Sequence, residues 1–229
     1  MTKFEGTFRR ATLADAAALA QLVEFAGEGL PLYLWTQLAG PGGDPWEVGR
    51  KRVRSETTGI CYRNALIAEI AGKTVGAILG YSLGGPAPIE ENTPALLVPL
   101  HELMQVAPNT WYVHALAAYP EYRGRGAGAA LLAEADKLAA VEGVSALSLI
   151  VSDTNAGARR LYEQRGYREA ARRKMVKNGW QHPGTEWVLL IKRPAAIFRG
   201  IVLPKGRVKI ALPSRFILLT LSPNNCGRP

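Results

Sequence analysis

Apolar positions in this 229-residue chain recur with two different periods, and the switches between them mark where its elements begin and end. Leu13, Ala16, Ala17, Leu19, Ala20, Leu22 and Val23 fall on one stripe at helical spacing, which predicts a helix through about Phe25. Thr12 precedes that run with Asp15 three residues later, the pattern of a capping box. Phe8 to Ala11 reads as a short strand, and Gly27, Gly29 and Pro31 are expected to end the helix. Tyr33 to Asp44, rich in Gly and aromatics, is expected to be a loop or short helix, with a further short helix over Trp46 to Arg54. Ala65 to Ile70 and Val75 to Tyr81 flank Ala71-Gly72-Lys73, which predicts a β-hairpin. A helix is expected from Pro94 to Val106.

The second half is more regular. Trp111 to Ala118 has strand character, a glycine-rich stretch follows, and Ala129 to Val141 has helical spacing. Ala146 to Val151 is almost continuously apolar, as in a parallel strand buried on both faces. Ala156 to Arg165 reads as a helix closed by Gly166. Tyr167 to Val176 and Trp187 to Ile191 read as strands around an Asn178-Gly179 turn. This alternation predicts an α/β (α+β) domain over residues 1–193: a mixed, mostly antiparallel sheet with a central parallel pair and helices on both faces.

Composition narrows the function classes. Apolar residues make up 48% and charged residues 21%, which excludes a disordered or fibrous chain. The net charge of +9 suggests a nucleic-acid partner only until it is localised. Residues 194–229 hold Arg199, Lys205, Arg207, Lys209, Arg215 and Arg228 and no acid, leaving +3 for the body. The body shows no interleaving of aromatic and basic residues, so nucleic acid is not expected as a partner. The 194–229 segment is expected to be an accessory or poorly ordered basic extension without a catalytic role. Cys61 and Cys226 lie far apart, with no Cys or His at zinc-ligand spacing, so neither a disulfide framework nor a metal is expected. Asp15 interrupts the apolar stretch that a signal peptide would need, and no run approaches a membrane span. A cytoplasmic protein is the default reading.

The chemistry is expected in Arg123-Gly124-Arg125-Gly126-Ala127-Gly128. Closely spaced glycines let backbone N–H groups converge, the following helix adds its positive dipole end, and two arginines add charge. Such a loop suits a pyrophosphate. Gly124-x-Gly126-x-x-Ala129 also fits a dinucleotide-binding turn, with Asp153 one strand later. A Walker loop is excluded, because no Gly-Lys-Ser/Thr follows.

A second block, Asn155-x-x-Ala158-x-x-Leu161-Tyr162-x-x-x-Gly166-Tyr167, comes after the next strand. Together with Arg123-x-x-Gly126-x-Gly128 it resembles, in order and spacing, the signature segments of the GNAT family of N-acetyltransferases. The resemblance in motif covers roughly 111–176. It implies that the two parallel strands splay and that acetyl-CoA lies between them, with coenzyme A binding at Leu116, Ala117, Ala118, Arg123, Gly124, Arg125, Gly126, Ala127, Gly128, Ala129, Asn155 and Tyr162. It further implies that Tyr162 faces the thioester sulfur and protonates the departing thiolate.

The acceptor would be a primary amine of a small molecule or peptide, attacking directly. Such amines titrate near 10.4 and must lose a proton before attack. His114 is the candidate base, on the expectation that it shares one strand face with Tyr112, Leu116 and Ala118. Glu69 or a water relay is the fallback. The resemblance places the acceptor pocket around Tyr33, Trp35, Trp46, Trp180 and the 83–95 connection. A non-catalytic acyl-CoA-binding module is the alternative, and a homodimer is allowed.

Overall fold

The computed structural model describes residues 3–193. In chain order the elements are β1 (Thr7–Arg10), α1 (Ala16–Ala26), α2 (Leu30–Ala39), α3 (Pro45–Arg54), β2 (Ala65–Ile70), β3 (Lys73–Ser82) and α4 (Val98–Gln105). The second half supplies β4 (Trp111–Ala118), α5 (Ala127–Val141), β5 (Leu147–Ser152), α6 (Ala156–Gln164), β6 (Arg168–Lys174) and β7 (Glu186–Lys192). Among the described residues one sheet in the order β1-β2-β3-β4-β5-β7-β6 contains all seven strands, and only β4 and β5 run parallel. The mixed, mostly antiparallel α/β architecture expected from the sequence is therefore present. The expectation for residues 194–229 lies outside the described residues.

Local chemistry sets these boundaries. Thr12 and Asp15 form the expected capping box, with the Thr12 N–H donating to Asp15 Oδ2 at 2.7 Å. The Arg9 guanidinium grips the same carboxylate and holds its pKa down at about 2. Ala71 and Gly72 both take left-handed angles, φ 49° and 73°, and close the β2–β3 hairpin.

Where a loop or short helix is expected over Tyr33 to Asp44, the chain forms α2 from Leu30. Pro31 opens this helix rather than ending the previous one, because a proline in the first turn lacks an N–H that would be unpaired anyway. Leu30 and Trp35 are buried and secure it. The helix α5 begins at Ala127, two residues earlier than its apolar spacing suggests, and α4 begins at Val98 rather than Pro94.

The two sheet faces carry separate cores. On one, Leu131, Leu132 and Ala135 of α5 pack with Ile78, Val113, Leu149 and Leu190. On the other, Leu19 and Val23 of α1, Trp35 and Val53 pack with Ile67, Leu79 and Ala115. Fully burying such a Leu contributes about 1.5–3 kcal/mol, so the sheet is a rigid platform.

The feature of the sheet that bears most on the site is a bulge in β4. Leu79 pairs with Ala115 but Gly80 pairs with Val113, so His114 is the inserted residue. The insertion breaks the period-two alternation. Val113 and Leu116 pack against the α5 core, while Ala115 and Ala117 pack toward α1. The expectation that His114 shares a face with Leu116 and Ala118 fails here, because it assumed an unbroken strand.

Candidate active site

Pairing between β4 and β5 is confined to Trp111–Val113 against Leu147–Leu149. Beyond the bulge the two strands part, and a cleft of about 790 Å³ opens between them. Its walls include His114 to Ala118 from β4, Leu149 to Ser152 from β5, and the glycine loop. The cleft sides of both strands expose peptide groups that have no partner strand. Backbone groups of this kind seek hydrogen bonds, and an extended chain bearing amides would fit between them as an added strand does.

The glycine loop forms another part of the wall. Gly124 and Gly126 have φ of 75° and 83°, in the left-handed region where a Cβ is penalised. Gly126 is the N-cap of α5, so the unpaired N–H groups of that helix's first turn open toward the cleft. Arg123 Nε donates to the Ala118 carbonyl at 3.2 Å, and its guanidinium lies 5.8 Å from the Phe25 ring centre. Its charge is thereby held at the cleft wall.

Of the residues predicted to bind the cofactor, Leu116, Ala117, Ala118, Arg123, Gly124, Gly126, Ala127, Gly128, Ala129, Asn155 and Tyr162 line the cleft. Arg125 does not. Its guanidinium lies 5.4 Å from the ring centre of Tyr122, outside the lining.

Tyr162 also lines the cleft. Helix α6 positions it, with Asn155 as N-cap accepting the Ala158 N–H at 3.0 Å. Burial, with the nearby Glu28 carboxylate, pushes the Tyr162 pKa well above the usual tyrosine value. The phenol is therefore protonated at neutral pH and able to donate.

His114 also borders the cleft, wedged between Tyr81 and Tyr112 with ring centres 6.1 and 6.0 Å away. Burial lowers its pKa to about 4, and the positive Arg52 adds to that effect. It is a neutral imidazole at pH 7. A positive charge on it would be doubly disfavoured, by desolvation and by Arg52.

Sequence reasoning missed Glu28. This residue lines the cleft from the turn between α1 and α2. Its backbone is left-handed at φ 53°, a conformation costing about 1–2 kcal/mol for a residue with a Cβ. Its Oε1 accepts from Asn155 Nδ2 at 2.5 Å and its Oε2 is 2.7 Å from His182 Nε2. Only the glycine after it hinted at a tight turn. Glu69, the fallback base, is instead tied to Arg9 at 2.7 Å and lies outside the cleft lining.

The aromatic residues expected around an acceptor are packed away from the cleft. Trp35 and Trp46 meet edge to face at 5.9 Å, and Trp180 is buried in a stack with Trp187. The Tyr33 hydroxyl donates to the Asn178 carbonyl at 2.6 Å. None of these four, and nothing from the 83–95 connection, contributes to the lining, whereas Phe25, Tyr122 and Trp187 do. Large aromatics fill the nearest void when they can, and here the helix and loop interfaces supply it.

Among the described residues, no cluster of three or more His, Cys, Asp or Glu is gathered for a metal. No helix among them is long and apolar enough to cross a membrane.

Comparisons with known proteins bear on this geometry. Solved structures with the same fold include an acetyltransferase, 23% identical, with a TM-score of 0.57 over 82% of this chain and 98% of that one. An N-acetyltransferase from Staphylococcus aureus Mu50 is 18% identical, with a TM-score of 0.54 over 81% and 99%. The ribosomal-protein-S18-alanine N-acetyltransferase from Escherichia coli is 16% identical, with a TM-score of 0.53 over 86% and 99%. At these identities the likeness is one of fold. No curated protein sequence matches the chain. The family model described as the acetyltransferase (GNAT) family matches residues 32–167, which spans the cleft's glycine loop, Asn155 and Tyr162. The chain belongs to the GNAT acetyltransferase family.

Proposed function

We propose that this protein transfers the acetyl group of acetyl-CoA to a primary amine of a small molecule or peptide, by direct attack in a ternary complex. One observation carries the reading: a buried protonated phenol, Tyr162, and a carboxylate, Glu28, border the same cleft where β4 and β5 part. A binding module needs neither a proton donor nor a proton acceptor at that point.

The chain's residues fit the cosubstrate. The first turn of α5, opened by Gly126, together with Arg123 would hold the pyrophosphate, and the free backbone of β4 from Leu116 to Ala118 would pair with the pantetheine amides. The amine nitrogen forms a bond to the thioester carbonyl carbon and the carbon–sulfur bond breaks. Tyr162 delivers its proton to the leaving sulfur. The amine's proton must leave as well.

His114 is poorly placed to take that proton, since Arg52 opposes a cation on it. Glu28 is an anion at the cleft, so accepting a proton neutralises charge rather than creating it. We assign Glu28 the base role and His114 that of a neutral polar wall. Among the described residues no cysteine lines the cleft, and Cys61 is buried elsewhere in the fold, which fits attack without an acyl-enzyme.

Thiol release from acetyl-CoA against a panel of small amines and peptides tests the proposal. Because two fold neighbours are named as ribosomal-protein-alanine N-acetyltransferases, a peptide with an N-terminal alanine belongs in that panel. Amine-dependent thiol release is the expected result. Tight acetyl-CoA binding without turnover on any amine would make the protein an acyl-CoA-binding module instead.

A further inference from the structure

Glu28 is held by a partner drawn from the far end of the chain. His182 lies in the loop between β6 and β7, 154 residues from Glu28, and its side chain is only 4% exposed. The imidazole stacks on Trp180 at 4.6 Å with an interplanar angle of 19°, and Trp187 lies parallel to Trp180 at 5.9 Å. The same loop is pinned at several points. Thr185 donates to Asp153 through its N–H at 3.0 Å and its hydroxyl at 2.8 Å, Lys177 Nζ donates to the His182 carbonyl at 2.6 Å, and Tyr33 reaches Asn178. The loop and the α1–α2 turn are thus locked together at the acceptor end of the cleft.

The two ring nitrogens of His182 have different partners. Nδ1 accepts the main-chain N–H of Gly184 at 2.9 Å. A peptide N–H cannot turn round to accept, so Nδ1 must be the acceptor nitrogen and Nε2 must carry the hydrogen. Nε2–H then donates to Glu28 Oε2 at 2.7 Å. A proton relay through the ring would need Nδ1 to become a donor, and the Gly184 N–H stands in the way. The imidazole is a fixed donor.

Asn155 completes the arrangement from the opposite side. Its Oδ1 caps α6, the helix that presents Tyr162, and its Nδ2 donates to Glu28 Oε1. Each carboxylate oxygen therefore receives one donor, and each keeps a lone pair for an incoming amine. The left-handed backbone of Glu28 is a strained conformation that these contacts maintain.

We infer that His182 is a positioning residue of the acetyl-transfer site: through Nε2–H it fixes the Glu28 carboxylate toward the acceptor amine, without itself relaying a proton. The inference rests on the acetyltransferase reading of the cleft.

Two substitutions separate the donor from the packing. His182→Phe keeps a ring against Trp180 and removes the donor. His182→Gln places an amide N–H near the position of Nε2. The expected result is a fall of roughly 10–100-fold in kcat/KM for the amine in His182→Phe, the range typical when a group orienting an active-site ligand is lost. The acetyl-CoA Kd should be unchanged, and most of the loss should be recovered in His182→Gln. A long-range ¹H–¹⁵N spectrum of the full-length protein gives a readout independent of turnover. With only three histidines in the chain, His182 is assigned by its disappearance in His182→Phe. It should show the Nε2–H pattern, and its Nε2 signal should move in Glu28→Gln. Wild-type kcat/KM in His182→Phe, equal damage in both variants, or an Nδ1–H pattern would overturn the inference. A wild-type protein inactive on every amine would overturn the acetyltransferase reading alone, and the Glu28–His182 pair would then stand or fall on its nitrogen signals.

Discussion

The two ends of the cleft are built by different means. The cofactor end is made within one stretch of chain: β4, the glycine loop and the first turn of α5 follow one another directly, and α6 comes one strand later. The cofactor grip proposed for it would depend on backbone angles at Gly124 and Gly126 and on a helix terminus, properties set by neighbouring residues. The acceptor end is made by contacts across the fold. Glu28 meets Asn155 over a separation of 127 residues and His182 over 154. Local construction makes a cofactor grip that is readable as a motif. Construction by distant contacts lets the acceptor specificity change without touching that grip.

Tyr162 stands where the two ends meet, and its removal should have the largest effect. Tyr162→Phe keeps the ring in its buried site beside Tyr167 and removes only the proton donor. Turnover is expected to fall by roughly 10²–10⁴-fold, the range of a lost general acid, with acetyl-CoA affinity nearly unchanged. Steady-state rates and a direct binding measurement check both halves of the statement. Full turnover would detach Tyr162 from the chemistry and leave the two ends without a shared centre.

The same contrast explains what the sequence revealed. Helical and strand periodicities located every element of the second half, and the turn at Ala71-Gly72 followed from residue type alone. Arg123, Gly124, Gly126 to Gly128, Asn155 and Tyr162 were legible as cleft residues, because local backbone and spacing put them there, whereas Arg125 of the same loop faces away. His114 was legible as a cleft residue but not in its environment. One inserted residue at the bulge reversed the strand's facing, and Arg52 reaches it from α3. Glu28 and His182 left no trace beyond Gly29, because a lone Glu before a glycine and a lone His two residues after a tryptophan are ordinary surface residues until tertiary packing brings them together.

His114 offers a measure of burial at the acceptor end. Its pKa falls from 6.5 to about 4 on folding, so between those values the unfolded chain binds a proton that the folded one refuses. Stability must therefore drop as pH falls from 6.5 toward 4. At pH 5 the penalty is about 2 kcal/mol, at 1.36 kcal/mol per pKa unit. His101 shifts in the same direction, so the measurement has to be made against a variant. Urea unfolding at pH 7 and pH 5 should show a smaller acid loss in His114→Gln than in the wild type. Equal losses would mean that the imidazole is solvated and that the acceptor end is open to water at this point.

A change at the cofactor end should leave the acceptor end untouched. Gly126→Ala forces a Cβ onto a residue at φ 83°, with strain of about 1–2 kcal/mol. If the loop relaxes out of that conformation, the first-turn N–H groups of α5 lose their aim. Acetyl-CoA affinity is expected to fall about tenfold, since 1.4 kcal/mol corresponds to a factor of ten. The KM for the amine should be unchanged at saturating acetyl-CoA. A rise in both would show that the two ends are coupled through the loop, and the division between them would fail.

The smallest effect is expected from removing residues 194–229. Every residue assigned to the cleft lies between Phe25 and Trp187, and β7, which pairs with β5 along the cleft wall, is complete at Lys192. The six bases of the removed segment follow β7 in sequence, and the glycine loop supplies its own cation at the cleft wall in Arg123. A chain ending at Arg193 should therefore keep its acetyl-CoA affinity and its turnover on a small amine within about twofold, a difference of roughly 0.4 kcal/mol. A large loss of acetyl-CoA binding would assign positive charge from the extension to the cofactor end. A loss confined to acidic acceptors would assign it to the acceptor end, which then would draw on a fourth stretch of the chain besides those of Glu28, Asn155 and His182.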